Sequence, residues 1–219
     1  MQVVSGPYGS EKIHFEAPDA NRLDAEMMSF LEWFNAENGL DPVLKAGMAH
    51  LRFVTIHPFE DGNGRIARAI YDMALARADG TPDRYYSLST QIERERKDYY
   101  SQLEKQQRSD VDITGWLNWY LDCLGRAIGD AEIALGHILY KTRIWEKVNE
   151  GPTNDRQRLV IRRMLDDRWK GNMNTTKWAK LTDCSNDTAL RDINALVDRS
   201  ILVRNEGGGR STSYRLVSE

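Results

Sequence analysis

Apolar residues first settle into a helical rhythm at Leu23, Met27, Phe30, Leu31 and Phe34, which fall on one side of a predicted helix. Pro18-Asp19-Ala20-Asn21 introduces that helix, with Asp19 or Asn21 as its cap, and Gly39 ends it. Ahead of it, Val3-Val4, the turn signal Gly6-Pro7-Tyr8-Gly9 and the alternating Lys12-Ile13-His14-Phe15 predict a β-hairpin. A second helix starts near Pro42 and sets Val43, Gly47, Leu51 and Val54 on one side. It stops at Ile56-His57-Pro58, because the residue before a proline is pushed out of the helical region. After Asn63-Gly64 a third helix carries Ile66, Ile70, Tyr71, Ala74 and Leu75 to Gly80. Further helices are predicted at about 91–107, 112–128 and 130–149, so the first half reads as a helical bundle with one small hairpin.

Gly151-Pro152-Thr153-Asn154 is the expected boundary, dividing a domain over 1–150 from one over 153–219. Helices follow at about 155–168, 175–182 and 186–199, and then Ile201-Leu202-Val203, Gly207-Gly208-Gly209 and Ser213–Val217 form a ribbon. Helix, helix-turn-helix and hairpin wing in that order describe a winged helix. Ser185 is its expected cap, with Leu190, Ile193, Leu196 and Val197 buried on the third helix. Arg191, with Asn186 and Thr188, is expected to face outward, and the wing would carry Arg204 and Arg210. DNA is a possible partner for such a face, though Asp187, Asp192 and Asp198 on the same side would repel phosphate.

Charge supports two modules. The net −3 divides into 17 Lys+Arg against 24 Asp+Glu over residues 1–152, and 13 against 9 over 153–219. Hydrophobic residues at 41% and charged residues at 29% exclude a disordered chain. Two cysteines, Cys123 and Cys184, make neither a disulfide framework nor a zinc site. The start has no basic and apolar signal segments, and no run nears ~18 apolar residues, so a cytoplasmic protein without a membrane span is expected.

The chemistry gathers in residues 57–68. Gly62-Asn63-Gly64 enters a helix, where unpaired N–H groups and the helix dipole make a phosphate-sized anion hole. Arg65 and Arg68, at i and i+3, reach the same side and could hold outer phosphates. Asp61 beside them suits a Mg²⁺ bridging those phosphates. His57 could accept the proton of an attacking hydroxyl, and Phe59 is expected to anchor the loop in the core.

The run His57-Pro58-Phe59-Glu60-Asp61-Gly62-Asn63-Gly64-Arg65-Ile66-Ala67-Arg68 matches every fixed position of His-Pro-Phe-x-Asp/Glu-Gly-Asn-Gly-Arg-x-x-Arg and so resembles the Fic family. The resemblance extends over roughly residues 1–128. It implies a mainly α fold: a Fic-type bundle with a hairpin flap (about 3–15), here followed by the winged helix-turn-helix domain. It also implies AMP transfer from ATP to a Tyr, Thr or Ser hydroxyl of a target protein or of the chain itself. His57 would be the base, Asp61 the Mg²⁺ ligand, and Glu60 through Gly64 with Arg65 and Arg68 the phosphate site. The flap residues Lys12 and Ile13 would lie over the nucleotide. Arg94–Tyr100 resembles the region closing over the adenosine end, through Tyr99 and Tyr100. Relatives often self-associate, so a homodimer is expected. A related phosphate transferase lacks the full Gly-Asn-Gly-Arg run. The family's inhibitory Ser/Thr-x-x-x-Glu-Gly/Asn motif, whose glutamate pairs with the second arginine, has no match; Thr142–Glu146 fails at Lys147. Either the chain is a truncated form or its inhibition comes from elsewhere; if nothing replaces the inhibitory helix, a de-repressed enzyme is expected. A DNA-binding regulator that only senses nucleotide is the alternative from another class.

Overall fold

The computed structural model describes residues 2–5, 12–37, 39–108, 111–206 and 212–218, with side chains from Phe15 onward. The chain is mainly helical and divides into two compact units, Met1–Ile133 and Ala134–Glu219.

The first unit opens with β1 (Gln2–Ser5) antiparallel to β2 (Lys12–Glu16), pairing Val3 with Phe15 and Val4 with Ile13 across a bulge. The turn between them lies outside the described residues, as do the side chains of Lys12 and Ile13. A 3₁₀ turn (Ala20–Arg22) leads into α1 (Leu23–Asn35), and neither Asp19 nor Asn21 caps it. The extra turn displaces the helix start past both candidates. Asp41 does cap α2 (Pro42–Ile56), accepting from the N–H groups of Val43 and Leu44 with Pro42 in the first turn. Then come α3 (Asn63–Asp79), α4 (Leu88–Arg94), α5 (Arg96–Arg108) and α6 (Thr114–Asn149).

The predicted helix over 91–107 is divided at Glu95. That carboxylate is gripped by Arg126 Nε and Nη2, both at 2.6 Å, which hold it well below the usual carboxylate range. Conversely, the two helices expected over 112–128 and 130–149 are one. Gly129 sits inside α6, where a lone glycine costs only about 1 kcal/mol. β2 packs beside α5, and α2 lies along α3.

The first core joins Phe30 and Phe34 of α1, Phe53 of α2, Tyr71 and Leu75 of α3, and Trp116 and Tyr120 of α6. Its closest approach is at Gly47, whose carbonyl accepts from Trp116 Nε1 at 2.9 Å. A Cβ there would stand 2.7 Å from the Tyr120 ring. Leu31, expected inside, is exposed.

In the second unit, Ile144 and Val148 of α6 are buried with residues of α7 (Asp155–Met164), α8 (Thr175–Thr182), α9 (Asn186–Asp198), β3 (Leu202–Arg204) and β4 (Tyr214–Leu216). The two compact units are divided inside α6, whose end belongs to this core, whereas the expected boundary lay at 151–154. α7 starts with a reciprocal Asn154–Gln157 capping box, and Asn174 and Ser185 cap α8 and α9. Met173 extends the ribbon by bridging to Tyr214. Two expectations for α9 are corrected. Leu190 is 42% exposed, at the edge of the apolar face rather than in it. Asp192 is buried, held by Arg156 Nε at 2.8 Å and Asn154 Nδ2 at 2.8 Å. Burial pushes its carboxyl up, but Arg156 and Asn154 outweigh that and hold it below the ordinary range. Among the described residues no helix is long and apolar enough to cross a membrane.

Gly47→Ala should force the Tyr120 ring out of place and destabilise the first unit by about 1–3 kcal/mol. Denaturant unfolding followed by tryptophan fluorescence measures this, and an unchanged midpoint would mean the ring has room to yield.

Candidate active site

The loop from His57 to Gly62 joins α2 to α3, and its geometry begins with an unusual backbone. His57 takes the left-handed conformation (φ 51°, ψ 58°), which non-glycine residues adopt at some cost and which recurs at functional sites. Its N–H still closes the helix on Phe53 O at 3.0 Å. Its Nδ1 lies 3.2 Å from Val54 O. A carbonyl only accepts, so Nδ1 carries the hydrogen and Nε2 keeps a lone pair. The ring is half-buried.

Asn63 ties the loop shut. Its Oδ1 accepts from the Phe59 N–H at 3.0 Å, and its Nδ2 donates to Phe59 O at 2.6 Å. The side chain is buried and holds the loop through both its oxygen and its nitrogen. Phe59 is thus anchored through its main chain. Its ring is 47% exposed and lies beside Phe53, with centroids 6.4 Å apart, which corrects the expectation of a core anchor.

Gly62, at φ 88°, turns the chain into α3 in a conformation that favours glycine. No side chain caps this helix, and its ladder begins with the Ile66 N–H on Gly62 O at 3.0 Å. The N–H groups of Asn63, Gly64 and Arg65 therefore converge at its positive end.

Asp61 and Arg65 form an ion pair at 3.0 Å; Asp61 is 92% exposed. Both groups can exchange each other for a ligand, since an exposed pair is worth little. Glu60 beside them is also exposed. Among the described residues no three His, Cys, Asp or Glu side chains cluster to hold a metal. A single carboxylate nevertheless fits Mg²⁺, which commonly takes one or two carboxylates and completes its shell with phosphates and water. Arg68 is half-buried, and among the described residues no hydrogen-bonding or ion-pair partner meets its guanidinium. Its charge reaches His50, Tyr71 and Tyr99.

Tyr99 and Tyr100 separate. Tyr99 is 4% exposed, with its hydroxyl 2.9 Å from His50 Nε2, so it sits in the core. Tyr100 is 55% exposed. With Arg94, Arg96, Lys97 and Asp98 it lines a cavity of about 650 Å³ at the α4–α5 junction. A second cavity, about 500 Å³, opens at the far end of α3 around Phe34, Lys45 and Arg77 and contains none of the loop's residues. His50 had no role in the sequence reading. A histidine one turn from Gly47 and Val54 on an apolar face was the available signal. It is stacked on Trp116 (centroids 5.6 Å, 12°), and burial lowers its pKa to about 4, keeping it neutral.

In the second unit Arg191 is exposed and donates to Thr188 Oγ1 at 3.3 Å, and Arg204 donates to Thr212 Oγ1 at 2.9 Å. Arg210 lies outside the described residues.

Comparison with known proteins bears on the first unit. Residues 2–75 match the Fic/DOC family model. "Protein adenylyltransferase Fic" of Culex quinquefasciatus is 35% identical over 113 residues, covering 51% of this chain and 21% of that protein. The protein of the same name from Nematostella vectensis is 34% identical over 128 residues, covering 55% and 28%. The chain thus spans between about a fifth and somewhat over a quarter of the length of these relatives. A solved Fic family protein from Desulfovibrio desulfuricans G20 superposes with a TM-score of 0.48 at 21% identity, over 97% of this chain and 59% of that one. The segment 57–68 lies wholly inside the residues that match the Fic/DOC family model.

Proposed function

We propose that this chain is a nucleotidyltransferase that moves AMP from ATP onto a hydroxyl side chain of a protein, releasing pyrophosphate. The observation that carries the proposal is the pairing of a histidine whose Nε2 lone pair is free with an uncapped helix N-terminus flanked by two arginines. The names of the relatives point the same way, and the 57–68 run is complete.

In this reading the target oxygen attacks the α-phosphorus of ATP, and its proton passes to His57 Nε2. The bond from that phosphorus to the bridging oxygen breaks, and pyrophosphate leaves with the electron pair. The N–H groups of Asn63, Gly64 and Arg65 receive phosphate oxygens, and Arg65 and Arg68 hold the outer phosphates. Asp61 would hold Mg²⁺, which supplies neutralisation of phosphate charge. Were Asp61 to hold the ion, Arg65, now paired with it, would be left to the nucleotide. Tyr100 would meet the base, and the β1–β2 hairpin with Lys12 and Ile13 would cover the nucleotide and align a target segment. Cytoplasmic location and a homodimer accompany the proposal as expectations.

The second unit supports a separate reading as a winged helix bound to DNA. Over Ala134–Glu219 there are 16 Lys+Arg against 11 Asp+Glu, a net of +5. Asp192, one of three acids expected to repel phosphate, is buried on Arg156 instead. Arg191 and Arg204 would be the contacts, with Arg210 beyond the described residues.

His57→Ala should lower transfer by about 10²–10⁴-fold while ATP binding survives. Labelling of protein by tagged ATP, measured beside ATP titration, checks this; a nucleotide sensor would show no transfer to lose. Random duplex DNA should retard the chain in a gel at low salt and release it as salt rises. Absence of any shift would leave the second unit as a protein-contact module.

A further inference from the structure

A buried polar pair lies behind the phosphate site and takes no part in the reaction as described. We propose that the hydrogen bond between His50 and Tyr99 is a positioning device. It keeps α5, with Tyr100 on its outer side, in register with the first turn of α3, so that one nucleotide meets both helices at once. This rests on the nucleotide-binding reading above.

The pair is expensive for a purely packing role. His50 is 1% exposed, so its ring nitrogens are cut off from water and depend on the Tyr99 hydroxyl and the main chain of Ala67. Two apolar rings would fill the space without that penalty. The pair supplies direction instead. The rings of Trp116 and Trp119 lie 6.3 and 5.8 Å from Tyr99, but ring packing tolerates sliding and rotation more readily than a bond of 2.9 Å. Fixing the Tyr99 hydroxyl fixes the rotation of α5, and Tyr100 follows as the next residue along the helix.

The other end of the bond is equally constrained. His50 is stacked on Trp116 and sits on α2, which packs along α3. There it faces the main chain of Ala67, a fully buried residue adjoining Arg68. Burial keeps the ring neutral, so it does not repel the Arg68 guanidinium. Base end and phosphate end of the site are thereby linked through Tyr100, Tyr99, His50 and the first turn of α3.

Titration of the full chain with ATP, adenosine and tripolyphosphate tests the link. Tyr99→Phe should weaken ATP binding about tenfold, because misregister penalises a ligand that spans both ends. Adenosine and tripolyphosphate, each touching one end, should bind unchanged. The double variant His50→Phe/Tyr99→Phe leaves neither partner unpaired, so it guards against simple loss of folding, and it should show the same selective loss. Unchanged ATP affinity in both variants would overturn the proposal, and so would equal weakening of all three ligands. If the unaltered chain binds no ATP, the nucleotide reading fails and this inference falls with it.

Discussion

The site depends on a helix that begins without a cap. Most helix starts place a side-chain oxygen over the first turn, as Asp41, Asn154, Asn174 and Ser185 do elsewhere in this chain. At α3 the residue in that place is Gly62, and the neighbouring Asn63 turns its amide back onto Phe59 instead. The open N–H groups and the rigid loop are therefore two results of one arrangement. It leaves partial positive charge at the turn and presents His57, Asp61 and the two arginines around it.

That arrangement explains why the exposed charges there differ in their readiness. Asp61 and Arg65 are paired across solvent and give each other up at little cost. The charge of Arg68 is felt by His50, Tyr71 and Tyr99, where burial keeps every ring uncharged near neutral pH. An acidic partner at Arg68 would compete with a phosphate, and the described residues supply none.

Much of this was legible because it is local. Pro58 ends α2, Gly80 ends α3, and Ser185 caps α9, each through the conformation or chemistry of one residue. The twelve-residue run marked the site for the same reason. What sequence did not disclose depends on partners far along the chain. The break in a predicted helix falls at Glu95, which Arg126, thirty-one residues on, grips. Gly129 fails to divide α6, and Ile144 and Val148 carry the end of that helix into the second core. Tyr99 and Tyr100 look alike in sequence, yet His50 takes one inward. Asp192 reads as a surface acid until Arg156 is placed beside it.

The central claim is that transfer occurs at the α-phosphorus and is initiated by His57. Parallel incubations of the chain and a lysate with ATP labelled at the α- or at the γ-phosphate test it directly. The account predicts protein-bound label from the α-position alone, with γ-label recovered in pyrophosphate. Protein-bound γ-label would instead identify a phosphate transferase, and no protein-bound label from either would contradict an enzyme of this kind.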